Sequence, residues 1–297
     1  MIDTTAHKSV LIEQVVTYLA PKPGNTYLDV TFGAGGHTRA LLEAEPRCTV
    51  IGMDWDTISL ENYGVPMAEE FPGRLRLIWG NFALLYRVLK RENIKKVDGI
   101  LADFGTSQMQ IMERPGFSFN RDTPLDMRMS PSHQKITAAD IIASATEEEL
   151  STIFFRYGEE RYSRKIAHLI AQERQVKPIT TTKQLACLVS HVIASKRGTA
   201  HPATRIFQAL RIAVNKELDN ISSFLSEAVR VLNPEGRLVC ISFHSLEDRL
   251  VKQFFKNKEQ EGVLEILTPK VVTASAQEID RNPSSRSACL RAAQLIV

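Results

Sequence analysis

The stretch Leu28-Asp-Val-Thr-Phe-Gly-Ala-Gly-Gly-His37 constrains the fold of this chain more than any other. It reads as a short strand entering a glycine-rich turn and then a helix. A second apolar run, Thr49–Met53, follows and ends on the carboxylate of Asp54. Open α/β sheets hold nucleosides with this arrangement. Gly33, Gly35 and Gly36 lack a Cβ, so the turn can take positive φ and a ligand can come close to the backbone. Asp54 lies nineteen residues after Gly35, near the roughly 20-residue spacing at which an acidic side chain meets ribose hydroxyls. The pattern is Gly-x-Gly-Gly, and Thr38 stands where a dinucleotide fingerprint has its third glycine. That leaves little provision for a pyrophosphate on the helix N-terminus. The reading is a ligand with a ribose but no phosphate, S-adenosylmethionine. The plain alternative is a strand-to-helix turn that uses glycine for geometry alone.

Around this motif, residues 1–110 alternate in the βα manner. Leu11–Leu19 reads as a helix, and Tyr27–Thr31, Thr49–Met53, Arg74–Trp79 and Val97–Ala102 as strands. Several are almost continuously apolar, as parallel strands covered on both faces should be. Then the period changes. Thr137–Ser144, Glu147–Tyr157, Arg161–Gln172, Thr182–Ser195 and Ala203–Leu218 read as helices, two of them opened by the capping boxes Thr146-x-x-Glu149 and Thr181-x-x-Gln184. Strand character returns at Arg237–Phe243 after the turn Asn233-Pro-Glu-Gly236. Val263–Leu267 and Leu290–Val297 are two further strand candidates. The pattern predicts a parallel sheet, residues 1–112 and 220–297, interrupted by an all-helical insertion, 113–219. The aperiodic loop Arg114–Pro131 mixes aromatics, methionines, arginines and aspartates just after the fourth strand. Loops of that length inside a domain are usually functional.

With 43% hydrophobic residues in 297, the chain can bury a sizeable core, and no apolar run is long enough to span a bilayer. No signal-peptide core follows Met1. Cys48, Cys187, Cys240 and Cys289 are scattered, without Cys-x-x-Cys or other metal spacing. A soluble, cytoplasmic protein with no membrane association and no metal is expected. Net charge is only +3, but Arg156–Lys216 holds twelve Lys/Arg against three Asp/Glu, a local +9. That asymmetry suits a polyanion such as nucleic acid. For any single lysine, a solvated helix face explains the charge as well.

Beyond these features, His7-Lys-Ser-Val-Leu11, Thr31-Phe-Gly-Ala-Gly-Gly-His37, Asp98-Gly-Ile-Leu-Ala-Asp-Phe-Gly105, Gly116-Phe-Ser-Phe119, Pro124-Leu-Asp-Met-Arg-Met129, Tyr157-Gly-Glu-Glu-Arg161, His201-Pro-Ala-Thr-Arg205, Phe207-Gln-Ala-Leu-Arg-Ile-Ala-Val-Asn215, Ile241-Ser-Phe-His-Ser-Leu-Glu-Asp-Arg249 and Arg286-Ser-Ala288 occur in order. Together they closely resemble the bacterial 16S ribosomal RNA (cytosine-N4)-methyltransferases, the MraW/RsmH family. The resemblance covers nearly the whole chain. It implies an α/β, class I S-adenosylmethionine-dependent methyltransferase fold, a Rossmann-like sheet with an inserted all-helical substrate-recognition domain. The implied reaction is methyl transfer to the exocyclic N4 of one decoding-centre cytidine, with 16S rRNA or the small ribosomal subunit as partner. Carried over by position, the cofactor residues are Gly35, Gly36 and His37 in the turn, Asp54 on the ribose, Phe82 beside the adenine, then Asp103 and Gln110. The chain departs from the family's usual pattern at Gln108-Met109, where a proline is lost, and at Ser284, where an arginine is frequent.

The residues fit an exocyclic amine on their own terms. A pyrimidine C5 methyltransferase needs a cysteine nucleophile, and none follows a candidate catalytic strand. Asp103 could contact the cofactor, the target amine or both, or could cap a helix. His244 could orient a base or phosphate, or satisfy its own turn. His201, Arg205, Gln208 and Arg211 share a helix face that reads either as a phosphate-binding surface or as the partner of Glu159 and Glu160. Phe117, Phe119 and Met127 could stack on an extruded base or plug a core beneath the loop. Two rival functions stand: an RNA-binding assembly protein that keeps a methyltransferase fold, and a methyltransferase of free nucleotides or protein. The glycine turn with Asp54 and Asp103 disfavours the first, and the basic insertion disfavours the second. The sequence shows no interface, which leaves a homodimer open.

Overall fold

The computed structural model describes residues 8–105, 114–131, 133–194 and 201–296. They fall into two units, Met1–Gly105 with Leu218–Val297, and Thr106–Glu217.

The first unit is built on β1 (Thr26–Asp29), β2 (Thr49–Asp54), β3 (Leu75–Trp79), β4 (Val97–Asp103), β5 (Leu232–Ser242), β6 (Leu264–Ile266), β7 (Val272–Thr273) and β8 (Cys289–Leu295). The sheet order is β3-β2-β1-β4-β5-β8-β6, with β7 paired to β8. β1 to β5 run parallel, and β8 runs antiparallel to β5. The order reverses between β1 and β4, the switch point where such sheets open a crevice beyond the strands' carboxyl ends.

Neighbouring residues of one strand serve opposite faces, because side chains alternate along a strand. Ile100 and Leu238 enter one core with Met53, Phe104 and Phe224. Leu101 and Val239 enter the other with Tyr27, Phe32 and Leu41. Both faces of β4 are therefore apolar, which is why its sequence shows no alternation.

β5 starts five residues before the expected Arg237. The Asn233–Gly236 turn lies inside the pairing, with a register shift between Val97 and Gly99 and Glu235 at φ 62°. Asn233 Nδ2 donates to Asp98 Oδ1 at 2.8 Å, which holds the irregular stretch against β4. The two-residue β7 carries too little pattern to be predicted.

In the second unit the helices are Ala138–Ser144, Glu147–Gly158, Ser163–Val176, Thr182–Val192 and Thr204–Asn215. The first, second and fourth of these open on capping boxes, Thr137 with Asp140, Thr146 with Glu149, and Thr181 with Gln184. Leu150, Phe154, Ile166, Ile170, Leu185, Ile206 and Leu210 form this unit's own core. The last helix ends earlier than its periodicity predicts. Lys216 takes the left-handed conformation, φ 51°, and the next helix, Glu217–Val231, begins at once. A lysine gives no sequence warning of a position that glycine usually fills.

Candidate functional site

The glycine turn follows β1, on the crevice side of the sheet. Gly33 and Gly35 take positive φ, 54° and 78°. The Gly33 N–H donates to Asp54 Oδ2 at 2.8 Å, and the Asp56 N–H to Asp54 Oδ1 at 2.9 Å. The carboxylate at the end of β2 is thus aimed at the turn by two backbone donors. Burial nonetheless pushes its pKa up to about 6, against the lowering effect of those donors. The sequence assigned Gly35 and Gly36 to close approach of a ligand, and the structure adds a second demand for glycine. A Cβ on Gly35 would strike Met67 and Phe32, and one on Gly36 would collide with Ser9 Oγ. The protein's own side chains fill that space; what the turn offers a ligand is its backbone.

Behind the turn lies a buried polar relay. Asp29, the last residue of β1, accepts from Thr38 Oγ1 at 2.8 Å and from the Thr31 N–H at 3.2 Å. Thr31 Oγ1 in turn accepts from the Asp103 N–H at 2.7 Å. Desolvation raises the Asp29 pKa. His37, in the first turn of the helix Gly36–Ala44, places Nε2 3.5 Å from Asp103 Oδ2. Burial disfavours the imidazolium, but the Asp103 and Asp29 carboxylates outweigh it, so the His37 pKa is raised. Both His37 ring nitrogens and Asp103 Oδ1 are buried without a hydrogen-bond partner among the described residues. Such groups are costly, and a polar ligand in the crevice would satisfy them.

Phe82 follows β3 in a short 3₁₀ turn capped by Asn81. Its ring packs edge-on to Phe224 at 5.6 Å and at a tilt to Phe104 at 6.0 Å. His244 is the N-cap of the helix Ser245–Gln260: Nδ1 accepts from the Glu247 N–H at 3.4 Å, and Nε2 lies 3.2 Å from Glu247 Oε1. Nδ1 thus serves the helix end, while the buried Nε2 makes no hydrogen bond among the described residues. Gln110, with Gln108 and Met109, lies outside the described residues.

In the second unit, Gly116, Phe117, Phe119, Met127, Thr204, Phe207, Gln208 and Arg211 line a cavity of about 170 Å³. Phe119 is held against His201 at 4.7 Å and edge-on to Phe207 at 5.1 Å. A Cβ on Gly116 would meet the backbone nitrogens of Asp126 and Met127. Asn215 ties the loop down: Oδ1 accepts from the Met129 N–H, and Nδ2 donates to the Met127 and Arg211 carbonyls, each at 2.8 Å. The two arginines assigned to phosphates differ. Arg205 is largely exposed, 3.8 Å from Glu160 and 3.4 Å from the Glu159 carbonyl. Arg211 is mostly buried and grips Glu217 through Nε and Nη2, each at 2.9 Å.

The profile of the MraW methylase family matches residues 4–296. The chain belongs to that family. The ribosomal RNA small subunit methyltransferase H of Thermomicrobium roseum is 46% identical over 310 residues, covering 99% of this chain and 94% of the relative. The enzyme of that name from Coprothermobacter proteolyticus is 47% identical over 294 residues, covering 98% and 96%. That from Ehrlichia chaffeensis is 43% identical, covering 96% and 98%.

This MraW-family chain sets five parallel strands beside an antiparallel one, a Rossmann-like sheet, and its cofactor is S-adenosyl-L-methionine. The site's backbone donors, its aimed carboxylate and its unpartnered buried polar atoms fit such a nucleoside. The first unit brings Gly35, Gly36, His37, Asp54, Phe82 and Asp103 to one edge of one sheet. Sequence reasoning quoted Asp29 and Thr31 but gave them no role. A carboxylate ending an apolar strand was the available signal, since a buried acid must have partners. Asn215 offered no signal, because its three bonds are to a loop 86 to 88 residues away and to its own helix. Among the described residues, no helix is long and apolar enough to cross a membrane.

Proposed function

We propose that this chain methylates the exocyclic N4 of a specific cytidine in the decoding centre of 16S ribosomal RNA, with S-adenosylmethionine as donor. The coarser part, methylation of small-subunit ribosomal RNA, follows the names of relatives that match along nearly their whole length. The observation that carries the finer part is Asp103 at the end of β4, with one buried carboxylate oxygen unpartnered among the described residues. That oxygen can accept a hydrogen bond from an amine and draw electron density onto its nitrogen.

The bound cofactor supplies an electrophilic methyl group. Asp54 and the turn amides hold its nucleoside, Phe82 borders the adenine, and the polar relay through Thr31 fixes the backbone from which Asp103 projects. Positioning of this kind supplies on the order of 7–11 kcal/mol in favourable cases. Two of the four cysteines are too buried for covalent activation of a pyrimidine ring. Cys240 is buried in β5 with its thiol pushed far up by desolvation, and Cys48 is buried against Leu41. The helical unit is assigned to RNA recognition. Arg205 presents an exposed guanidinium, and Phe117 with Gln208 borders a cavity suited to an unstacked base.

The test is mass-spectrometric mapping of methylcytidines in small-subunit ribosomal RNA from cells with and without the gene, then transfer in vitro by the purified chain. An N4-methylcytidine that disappears and is restored supports the reading. A 5-methylcytidine, or no change, sinks it.

A further inference from the structure

The glycine turn has a neighbour that the cofactor assignments leave out. Residues Lys8–Leu11 run beside it, and Ser9 occupies the space in front of Gly36 so closely that no Cβ fits there. The far end of the chain anchors this segment. The Leu11 N–H donates to Glu278 Oε1 at 2.6 Å, and Asn282 Nδ2 donates to the Lys8 carbonyl at 2.9 Å. Glu278 sits in the short helix Ala276–Arg281, whose N-cap is Ser275. Asn282 is itself buried, so its amide is committed to this bond. Leu11 takes the left-handed conformation, φ 53° and ψ 34°, while its side chain is buried beside Val10. A leucine holds that backbone only where its surroundings over-determine it. Two anchors more than 260 residues away in sequence, a strained residue and a side chain packed on the turn thus converge on four residues. The bonds are local to this unit, where Val10 and Leu11 also pack into the core.

We propose that Glu278 and Asn282 are positioning residues for the cofactor: they fix Lys8–Leu11 as a strap, and Ser9 seals the glycine turn at Gly36. This rests on the reading of the Gly33–Gly36 turn and Asp54 as the S-adenosylmethionine site. The strap keeps the turn in the shape that presents its amides. Gly36 is then a glycine because of Ser9 as well as the ligand.

The experiment is calorimetric titration of S-adenosylmethionine into the full chain and its variants, with hydrogen exchange at the strap amides measured in parallel. Glu278→Ala should expose the Leu11 amide to exchange and raise the Kd about tenfold, the scale of one lost bond to a charged group. Glu278→Gln keeps an acceptor oxygen and should restore affinity to within about twofold, which a loss of general stability would not do. If Glu278→Ala does not fold, Gly36→Ala serves instead. It should weaken binding, and Ser9→Gly in the same chain should recover it. Faster strap exchange with an unchanged Kd overturns the proposal, as does a Gly36→Ala variant that binds like wild type. Asp54→Ala is the control for the underlying reading. If it leaves the Kd unchanged, the cofactor lies elsewhere and the strap proposal falls with it; if it weakens binding while Glu278→Ala does not, the strap alone is wrong.

Discussion

The Gly33 amide donates to Asp54 Oδ2 at 2.8 Å, joining the turn after β1 to the end of β2. With the Asp56 amide on the other oxygen, the carboxylate is oriented before any ligand arrives. It is also a buried charge whose folded pKa, about 6, lies above its ordinary 3.8.

That shift gives a pH dependence with a definite sign. The ionised form is penalised in the folded protein, so the stability contributed by neutral Asp54 is present below about 3.8 and lost as pH rises through about 6. Ribose hydroxyls donate more strongly to the ionised form, a charge-assisted bond, so cofactor binding runs the other way. Affinity for S-adenosylmethionine should be level above about pH 7 and fall by up to about tenfold per unit below pH 6. Asp54→Asn should bind weakly and lose this dependence. Calorimetry across pH 5–8 checks both.

Asp103→Asn should fold and bind RNA as wild type does, while turnover falls at least about a hundredfold. The His37 pKa, raised in part by the Asp103 carboxylate, should drop in the same variant, and imidazole NMR would record it. Replacing all four cysteines by serine or alanine should leave methyl transfer intact. Any trapped covalent RNA adduct would refute direct transfer to nitrogen.

Arg205 and Arg211 should separate cleanly. Arg205 is exposed, and Arg205→Ala should weaken RNA binding and lower the log–log salt slope by roughly 0.7–0.9. Arg211→Ala would strip the buried Glu217 of its bidentate partner, and breaking a buried pair costs about 3–5 kcal/mol. Its main effect should be a lower thermal midpoint. Salt titrations of RNA affinity and thermal melts of both variants decide this, and an unchanged slope in Arg205→Ala would place the RNA elsewhere.

Asn215→Leu removes the donor and the acceptor that hold residues 127–129, together with the bond to the Arg211 carbonyl of its own helix. The three backbone groups left behind should cost about 1–3 kcal/mol each where water cannot reach them. Chemical denaturation should show the loss, with S-adenosylmethionine affinity unchanged.

Local chemistry made much of this protein legible from its residues. The glycine turn, Asp54, the apolar parallel strands and two capping boxes declare themselves within windows of a few to twenty residues, because φ preferences, side-chain alternation and N-cap bonds act over that range. The family motifs ordered them into a cofactor site. The sequence could not say what a partner distant in the chain would do to a residue. Nothing in the sequence put Ser9 in front of Gly36. Nor could it show that His244 caps a helix or that Arg211 pairs with Glu217. The strap shows the limit most plainly, for the bonds from Leu11 to Glu278 and from Lys8 to Asn282 span 267 and 274 residues. Pairings of that reach depend on how the sheet brings β1 and the residues before β8 together, and only the folded sheet sets that distance.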